Sequence, residues 1–219
     1  MASSQPLTPR KQFADMSPDI TTLEQLSALY AVASPVSLLK QTQRLTPEYR
    51  RWIEAAPFFA IATSGLGGLD CSPRGDRPGD LFHVLDDASI AIPDRRGNNR
   101  LDTLKNLVAD PRVALLFLLP GINECVRING RARLTTDEAL RQSFSMDGKL
   151  PVTVIVVSIE AVYFQCARAL LRSKLWDVTA QIARSAVPTA GEMTKSGVPD
   201  FDAASYDAAL PKRQLGSLY

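Results

Sequence analysis

The amino-acid sequence predicts a mainly β fold of the α+β class, built from antiparallel strands with flanking helices. Six short apolar or alternating runs between residues 58 and 159 contain the residue types that favour strands. Turn residues separate these runs, and only two stretches between them have helical spacing. Strands at this spacing are typical of a β-barrel or a β-sandwich.

The N-terminal region, residues 1–45, is interpreted as an arm followed by a helix. Residues 1–18 are polar and contain Pro and Ser, so we expect a loose arm there. Apolar side chains then recur at the three- and four-residue spacing of an amphipathic helix. These side chains are Leu23, Leu26, Leu29 and Tyr30.

A second helix is predicted just before the first strand. Thr46 can cap it, Pro47 suits the first helical position, and Pro57 ends it. The predicted strands follow at residues 58–64, 81–85, 89–93, 113–119, 124–134 and 151–159. Hairpin turns are expected at the glycines of residues 65–68, at Asp86 and Asp87, and at Pro120 and Gly121.

Two helices are expected to interrupt the strands, both at the ends of the barrel. The first spans residues 100–108, with Asn98 and Asn99 as candidate caps. The second begins with the capping-box spacing of Thr135 and Glu138. Residues 46–177 therefore form the predicted barrel domain. Residues 178–219 have little periodicity and are interpreted as an extended C-terminal arm.

Bulk composition restricts the class of protein. The 219 residues, 45% of them hydrophobic, can bury one sizeable core. The formal charge of +2 provides no global field for nucleic acid or an anionic membrane, so we expect neither partner. No apolar run approaches the roughly 20 residues of a spanning helix, and the N-terminus lacks the apolar centre of a secretory signal. A cytoplasmic location is expected.

The cysteines and the single histidine indicate neither a disulfide framework nor a metal site. Cys71, Cys125 and Cys166 are scattered and odd in number, which fits reduced thiols. His83 is the only histidine, so a multi-histidine metal site is excluded. It lies in an alternating run and is interpreted as a residue on a strand face rather than a catalytic base.

Two polar segments, residues 71–76 and 92–100, each lie directly beyond a predicted strand and are the strongest candidates for a binding site. Arginine offers phosphate a rigid, permanently charged fork, and a helix start adds free N–H groups. The alternative is that these residues are solvated turn residues that form weak surface ion pairs. The polar residues concerned are Ser72, Arg74, Asp76, Arg95, Arg96, Asn98, Asn99 and Arg100.

The order of these segments resembles the FMN-binding subfamily of pyridoxamine 5′-phosphate oxidase-like proteins over roughly residues 50–176. RRGNNRLDTLKNLVADPRVALLF resembles the family's phosphate-binding segment, and VRINGRARLT resembles the strand that follows it. YFQCARALLRSKLWD resembles the closing segment of the subfamily. The resemblance implies an FMN-binding split β-barrel with flanking helices, which forms a homodimer with FMN in a groove between the subunits.

The resemblance also implies a set of cofactor-binding residues. Asn98, Asn99 and Arg100 would lie near the FMN phosphate, and Arg74 and its neighbours would approach the flavin. Glu124 and Arg127 would come from the second chain, and Trp176 could cover an edge of the ring. The complete candidate set is Ser72, Arg74, Gly75, Asp76, Pro93, Asp94, Arg95, Asn98, Asn99, Arg100, Glu124, Arg127, Arg172, Ser173, Lys174 and Trp176.

Two departures from the family pattern bear on activity. No histidine follows Trp176, whereas the pyridoxamine phosphate oxidases bind their substrate through an Arg and a His near the C-terminus. Cys125 stands where those oxidases have a Gln that hydrogen-bonds the flavin, and a thiol cannot replace both groups of an amide.

The predicted function is therefore an FMN-dependent oxidoreductase that acts on an unidentified small substrate, with NADH or NADPH as candidate reductants. A non-catalytic protein that binds a flavin or a related cofactor is the alternative. A third interpretation is a dimeric interaction module that has lost the ligand.

Overall fold

Seven antiparallel strands form one continuous sheet in the computed structural model, which describes residues 19–216. The order of the strands across the sheet is β2-β1-β5-β6-β7-β4-β3. The strands are β1 (Phe58–Gly65), β2 (Gly68–Gly75), β3 (His83–Asp86), β4 (Ser89–Pro93), β5 (Arg112–Leu118), β6 (Cys125–Thr135) and β7 (Val154–Gln165). The predicted mainly β fold with flanking helices is confirmed.

The sheet curls without closing. Phe82 lies directly before β3, yet its ring centroid lies 6.4 Å from that of Phe59 in β1 and 5.4 Å from that of Phe117 in β5. Because β3 and β2 occupy opposite ends of the strand order, these contacts require the two ends to approach each other. The three rings are buried at the centre of the core.

The helices are α1 (Leu23–Leu29), α2 (Pro35–Leu39), α3 (Pro47–Glu54), α4 (Asp102–Ala109), α5 (Glu138–Ser143), α6 (Arg168–Ser173), α7 (Ala190–Gly197) and α8 (Ala203–Leu215). The chain divides into two compact units, Met1–Leu38 and Leu39–Tyr219. In the first unit, Thr22 caps α1, and its leucines are exposed. The arm predicted at residues 1–18 lies outside the described residues.

Helix α3 follows the sequence prediction closely. The Thr46 hydroxyl accepts a hydrogen bond from the backbone N–H of Tyr49, and Pro47 occupies the first turn. Ile53 is fully buried, while Tyr49 and Trp52 pack against the core. The hairpins predicted at the glycines before β2, at Asp86–Asp87 and at Pro120–Gly121 also form.

Three local predictions are wrong. Leu101, and not Asn98 or Asn99, occupies the cap position of α4, because a left-handed turn delays the helix. Asp137 caps α5 by accepting from the N–H of Leu140, so the expected capping box does not form. Residues 71–75 lie inside β2 rather than beyond a strand, because they pair with β1.

The C-terminal segment contains two helices where an extended arm was predicted. Thr189 and Glu192 form a capping box at α7, and Asp202 caps α8. The N–H of Gly191 donates to Asp207, which holds the two helices together at a position where a Cβ would lie only 2.5 Å from the carbonyl oxygen of Ala203. Side-chain caps therefore stabilise α7 and α8, although the apolar periodicity of this segment is too weak to predict them.

Among the described residues, the structure contains no helix of sufficient length and apolar character to cross a membrane. Nor does any group of three or more His, Cys, Asp or Glu side chains within residues 19–216 come together in a way that could hold a metal ion.

Candidate functional site

A cavity of 560 Å³ opens between the end of β2 and the loop that follows β4. Small-molecule and cofactor sites have volumes of roughly 300–1,000 Å³. Four segments and Leu81 form the walls: the segments are residues 72–76, residues 92–100, the start of α4, and residues 150–152. The last segment is present because Pro93 in β4 pairs with Val154 at the start of β7.

The two polar segments that the sequence singled out meet in this cavity. Because the ends of the curled sheet approach each other, residues about 20 positions apart line one space. The cavity brings together ten of the predicted residues, Ser72, Arg74, Gly75, Asp76, Pro93, Asp94, Arg95, Asn98, Asn99 and Arg100. It does not include the other six, Glu124, Arg127, Arg172, Ser173, Lys174 and Trp176.

Arg95 joins the two sides of the cavity. Its Nη1 donates to the carbonyl oxygen of Phe144 over 2.8 Å, and its Nη2 donates to that of Asp80 over 3.1 Å. Its Nε lies 3.3 Å from Oδ2 of Asp76 but is not aligned for a hydrogen bond, so this is a charge contact. Most of the Arg95 guanidinium is therefore bound to the protein itself.

The loop before α4 has a strained backbone. Asn99 and Leu101 have φ angles of 60° and 61°, a left-handed region that is uncommon for a branched residue such as Leu. Leu101 provides no side-chain cap, so the first N–H groups of α4 receive no side-chain acceptor from that position. Nε of Arg100 lies 2.6 Å from Oδ2 of Asp102, and Lys105 donates to the carbonyl oxygen of Arg100.

Arg74 is held by polar groups of β2 and α4. Its Nη1 donates to the carbonyl oxygen of Pro73, and its Nη2 donates to Oγ1 of Thr103 over 3.3 Å. Thr103 in turn donates to Oδ2 of Asp70, and Ser72 donates to the same carboxylate over 3.0 Å. Asp70, Ser72 and Arg74 alternate along β2, so they share the face that meets α4.

Asp94 is a half-buried carboxyl group in the cavity wall. Burial raises the pKa of Asp94, and the nearby positive charge of Arg74 opposes that rise. Its backbone N–H donates to the carbonyl oxygen of Thr153 over 3.0 Å, which fixes the loop against the segment before β7. The carboxyl group is thus presented to the cavity as a group that can accept or share a proton.

Sequence reasoning missed the apolar side of the cavity. Leu104 comes from α4, while Leu150 and Val152 precede β7. Thr103 was also missed, because the leucine pattern indicated only the apolar face of α4, whereas Thr103 and Asn106 are buried together with Leu107. The seven apolar lining residues outside the predicted set are Leu81, Ile92, Leu101, Leu104, Leu150, Pro151 and Val152.

The six remaining predicted residues lie around the β5–β6 turn, on β6 and near α6. Nε1 of Trp176 donates to the carbonyl oxygen of Ile122 in that turn. The guanidinium carbon of Arg127 lies 5.3 Å from the ring centroid of Tyr163, its partner on β7. Lys174 ends α6 with a left-handed φ of 52°. These residues form a second polar region of the same chain.

His83 and Cys125 lie apart from the cavity lining. The His83 ring stacks on Phe144 with centroids 4.0 Å apart, and burial is the main cause that lowers the pKa of His83. Cys125 is buried in β6 opposite Gln165, and burial raises the pKa of its thiol. A buried thiol with a raised pKa is a poor nucleophile.

Similar structures include three that each cover about half of this chain. HupZ from Group A Streptococcus is 17% identical, with 54% of this chain and 91% of that chain covered and a TM-score of 0.45. General Stress Protein 26 from Bacillus anthracis is 13% identical, with coverages of 52% and 88% and a TM-score of 0.41. The FAD binding protein from Mycobacterium smegmatis is 15% identical, with coverages of 57% and 97% and a TM-score of 0.39.

None of the curated proteins compared with the chain matches it. The family model described as "Pyridoxamine 5'-phosphate oxidase" matches residues 45–166. This match includes every strand of the sheet and both polar segments of the cavity. Since it spans more than half of the 219 residues, the chain belongs to the pyridoxamine 5′-phosphate oxidase family.

Proposed function

We propose that the protein is an FMN-dependent oxidoreductase that acts on a small organic substrate. One observation carries this proposal: arginine side chains, a helix start without a side-chain cap and apolar side chains line one cavity. A phosphate group and an aromatic ring system joined by a polar chain require such a combination. FMN combines these three parts in one molecule.

The phosphate would occupy the end formed by the loop before α4. Arg100 and Arg74 would supply charge-assisted hydrogen bonds, and the start of α4 would supply N–H groups and the positive end of its dipole. Arg96 is exposed at the cavity and forms no hydrogen bond or ion pair with any described residue, so it is available to an anion. The strained loop fits this role, because strain is often stored at binding sites.

The ring would lie against the apolar part of the lining, between Leu104 and the segment before β7. Bound FMN would supply hydride transfer at its ring, chemistry that no side chain of the cavity provides. The residues of the chain would hold the ring, exclude water through Leu104, Leu150 and Val152, and place the Asp94 carboxyl where it can hold a proton. No side chain is required as a nucleophile.

We further propose that the protein is a homodimer that pairs through the outer face of the sheet. Ala60 lies opposite both Pro73 and Leu116, so the three side chains share one face. Phe58 and Leu118 extend this apolar face along the strands, and none of these five side chains is fully buried in the single chain. An apolar sheet face of this kind is a common interaction surface.

The second polar region would then complete the site from the partner. Arg127 pairs with Leu116 across β5 and β6, so it lies on the outer face that is proposed to form the interface. Because Arg127 and Glu124 do not line the cavity of their own chain, Arg127 and Glu124 of the partner subunit are the better candidates for contacts to the cofactor. Arg172, Ser173, Lys174 and Trp176 are proposed to contribute in the same way.

The phosphate assignment is tested by comparing FMN with riboflavin, which lacks the phosphate. We expect Arg100→Ala to weaken FMN binding by roughly 10- to 100-fold and riboflavin binding very little, since charge-assisted hydrogen bonds contribute about 1.5–3 kcal/mol. Flavin fluorescence quenching measures both dissociation constants. Arg77→Ala is the matched control, because Arg77 is similarly exposed and ion-paired but does not line the cavity.

Equal losses for the two ligands, or an equal effect of Arg77→Ala, would refute the assignment.

An oxidoreductase is distinguished from a non-catalytic flavin carrier by reduction of the bound flavin. FMN-loaded protein should lose its yellow colour with NADH or NADPH and recover it in air. The absence of a histidine beyond His83 is the sequence feature that favours the carrier.

A further inference from the structure

We propose that Asp70 and Thr103 are positioning residues, which hold the Arg74 guanidinium in the orientation that an anionic group in the cavity requires. The identity of that anion as the FMN phosphate rests on the proposed function. The relay itself consists of three side chains: Asp70, Thr103 and Arg74. Asp70 does not line the cavity, and the hydroxyl of Thr103, which does line it, is already occupied by Asp70 and Arg74.

The direction of the hydrogen bonds in this relay is fixed by chemistry. A carboxylate only accepts hydrogen bonds, so the single hydroxyl proton of Thr103 points to Asp70. The Thr103 oxygen can then act only as an acceptor toward Arg74, whose Nη2 lies 3.3 Å away. A guanidinium has only donors, so each group in the relay has the partner that its chemistry demands.

The support behind the relay is rigid. Thr103 is 4% exposed, and Asn106, one turn later in α4, donates to Oγ1 of Thr63 and to the carbonyl oxygen of Gly68. The helix approaches the β1–β2 hairpin so closely that a Cβ at Gly65 would lie 2.5 Å from Oδ1 of Asn106. Thr103 therefore has little freedom to move with Arg74.

A contact made only for packing would not need this chemistry. Buried polar groups are costly to desolvate and gain little over apolar ones unless they are paired. The contact of α4 with the sheet nonetheless includes the polar side chains of Thr103 and Asn106 beside the apolar Leu107. Of these, Thr103 contacts Arg74, which lines the cavity, and Asp70 accepts from Thr103.

Positioning would improve binding by reducing an entropy cost. A free arginine side chain loses much rotamer entropy when it is fixed. If Thr103 and the carbonyl oxygen of Pro73 already hold two of its nitrogens, most of that cost is met before the ligand arrives. The remaining guanidinium N–H groups can face the cavity.

The positioning is tested first without any ligand. The guanidinium NMR signals of Arg74 are assigned as those that are absent from the spectrum of Arg74→Lys. In the wild type we expect slow rotation about the Nε–Cζ bond, with separate Nη signals. Thr103→Val, which keeps the shape and removes the hydroxyl, should make rotation fast, and Thr103→Ser should restore slow rotation. Fast rotation in the wild type, or no change in Thr103→Val, would overturn the proposal.

Asp70→Asn is the second variant, and it preserves both size and the Thr103 hydroxyl. An amide presents a donor as well as an acceptor, so the Thr103 hydroxyl proton is no longer fixed on residue 70 and its oxygen is no longer reserved as the acceptor for Arg74. We therefore expect Asp70→Asn to release Arg74 as Thr103→Val does. If Arg74 stays held in Asp70→Asn, the relay is wrong even when Thr103→Val fails to fold.

A double-mutant cycle measures the consequence for binding. Thr103→Val should weaken FMN binding by roughly three- to tenfold and leave riboflavin binding unchanged. In an Arg74→Ala background the same change should have no further effect, because Thr103 acts through Arg74. If the losses of FMN affinity from Thr103→Val and Arg74→Ala were fully additive, the proposal would be contradicted. If the wild type binds neither flavin, the proposed function fails, and the NMR measurement still decides whether the relay holds Arg74.

Discussion

Nε of Arg95 lies 3.3 Å from Oδ2 of Asp76, and this pair bridges the open side of the curled sheet. Asp76 directly follows β2 and Arg95 follows β4, two strands that do not pair with each other. Both side chains are largely buried, at 19% and 18% exposure. The contact therefore joins two walls of the cavity at a point where the sheet provides no backbone hydrogen bonds.

We expect Arg95→Met to destabilise the protein by about 2–3 kcal/mol, since it leaves two carbonyl groups and a largely buried carboxylate without their partner. Urea unfolding monitored by circular dichroism measures this loss. Arg77→Met is the control, because its pair with Asp80 is exposed and should change stability by less than about 0.5 kcal/mol. Similar losses in both variants would contradict the bridging role.

The left-handed conformation of Leu101 predicts that glycine is better tolerated there than alanine. Leu101→Gly should keep or raise the free energy of unfolding by up to about 1 kcal/mol relative to Leu101→Ala, because glycine adopts φ of 61° without strain. The two variants differ from each other by only one methyl group. The difference between their free energies of unfolding therefore reports the strain of the backbone at residue 101. Thermal unfolding measures it, and a more stable Leu101→Ala would be inconsistent with strain.

Asp94 should make stability fall as the pH rises. Burial raises the pKa of Asp94 above its ordinary value of 3.8, so the folded protein binds this proton more tightly than the unfolded chain. The stabilisation is complete below the unfolded pKa and is lost as the pH rises through the folded pKa. The free energy of unfolding of Asp94→Asn relative to wild type should therefore increase as the pH rises from 3 to 7.

Asp110 provides the control of opposite sign for this pH series. Hydrogen bonds from Arg112 lower the pKa of Asp110, so its contribution is present above the unfolded pKa and is lost in acid. Asp110→Asn should lose stability relative to wild type at neutral pH and approach it at low pH. Urea unfolding at several pH values distinguishes the two trends, and a pH-independent difference for Asp94→Asn would exclude the burial effect.

His83 can be titrated without ambiguity, because it is the only histidine of the chain. Burial lowers the pKa of His83 below 6.5, with Arg95 acting in the same direction and Asp80 opposing it. Proton NMR of the ring should show a midpoint below 6.5. Phe144→Ala removes the stacked ring and should move the midpoint upward toward 6.5. A midpoint at or above 6.5 in the wild type would be incompatible with this environment.

The proposed dimer interface can be tested by introducing charge on the outer face of the sheet. Leu116→Glu should shift the protein from dimer to monomer, because it places a carboxylate at the centre of the proposed apolar interface. Leu66→Glu is the control, since Leu66 is fully exposed in the β1–β2 turn. Sedimentation velocity measures both. A dimer that persists in Leu116→Glu would place the interface elsewhere.

The fold class, helix α3 and the two polar segments that line the cavity could be predicted from the order of residues along the chain. Alternating apolar residues specify a strand face, and Thr46 with Pro47 specifies a helix start, because both signals depend on near neighbours. The arginines of residues 74–100 also indicated a phosphate site from residue type alone. These inferences required no knowledge of distant contacts.

The set of residues that meet in the cavity depends on contacts between segments far apart along the chain. The curl of the sheet brings Asp76 to Arg95 and residues 150–152 to α4, and this depends on the register of β4 with β7. Thr103 became a buried acceptor for Arg74 because α4 packs against the sheet through Thr103 and Asn106 as well as through Leu107. Packing between distant segments determines both relationships, so neither could be inferred from spacing along the chain.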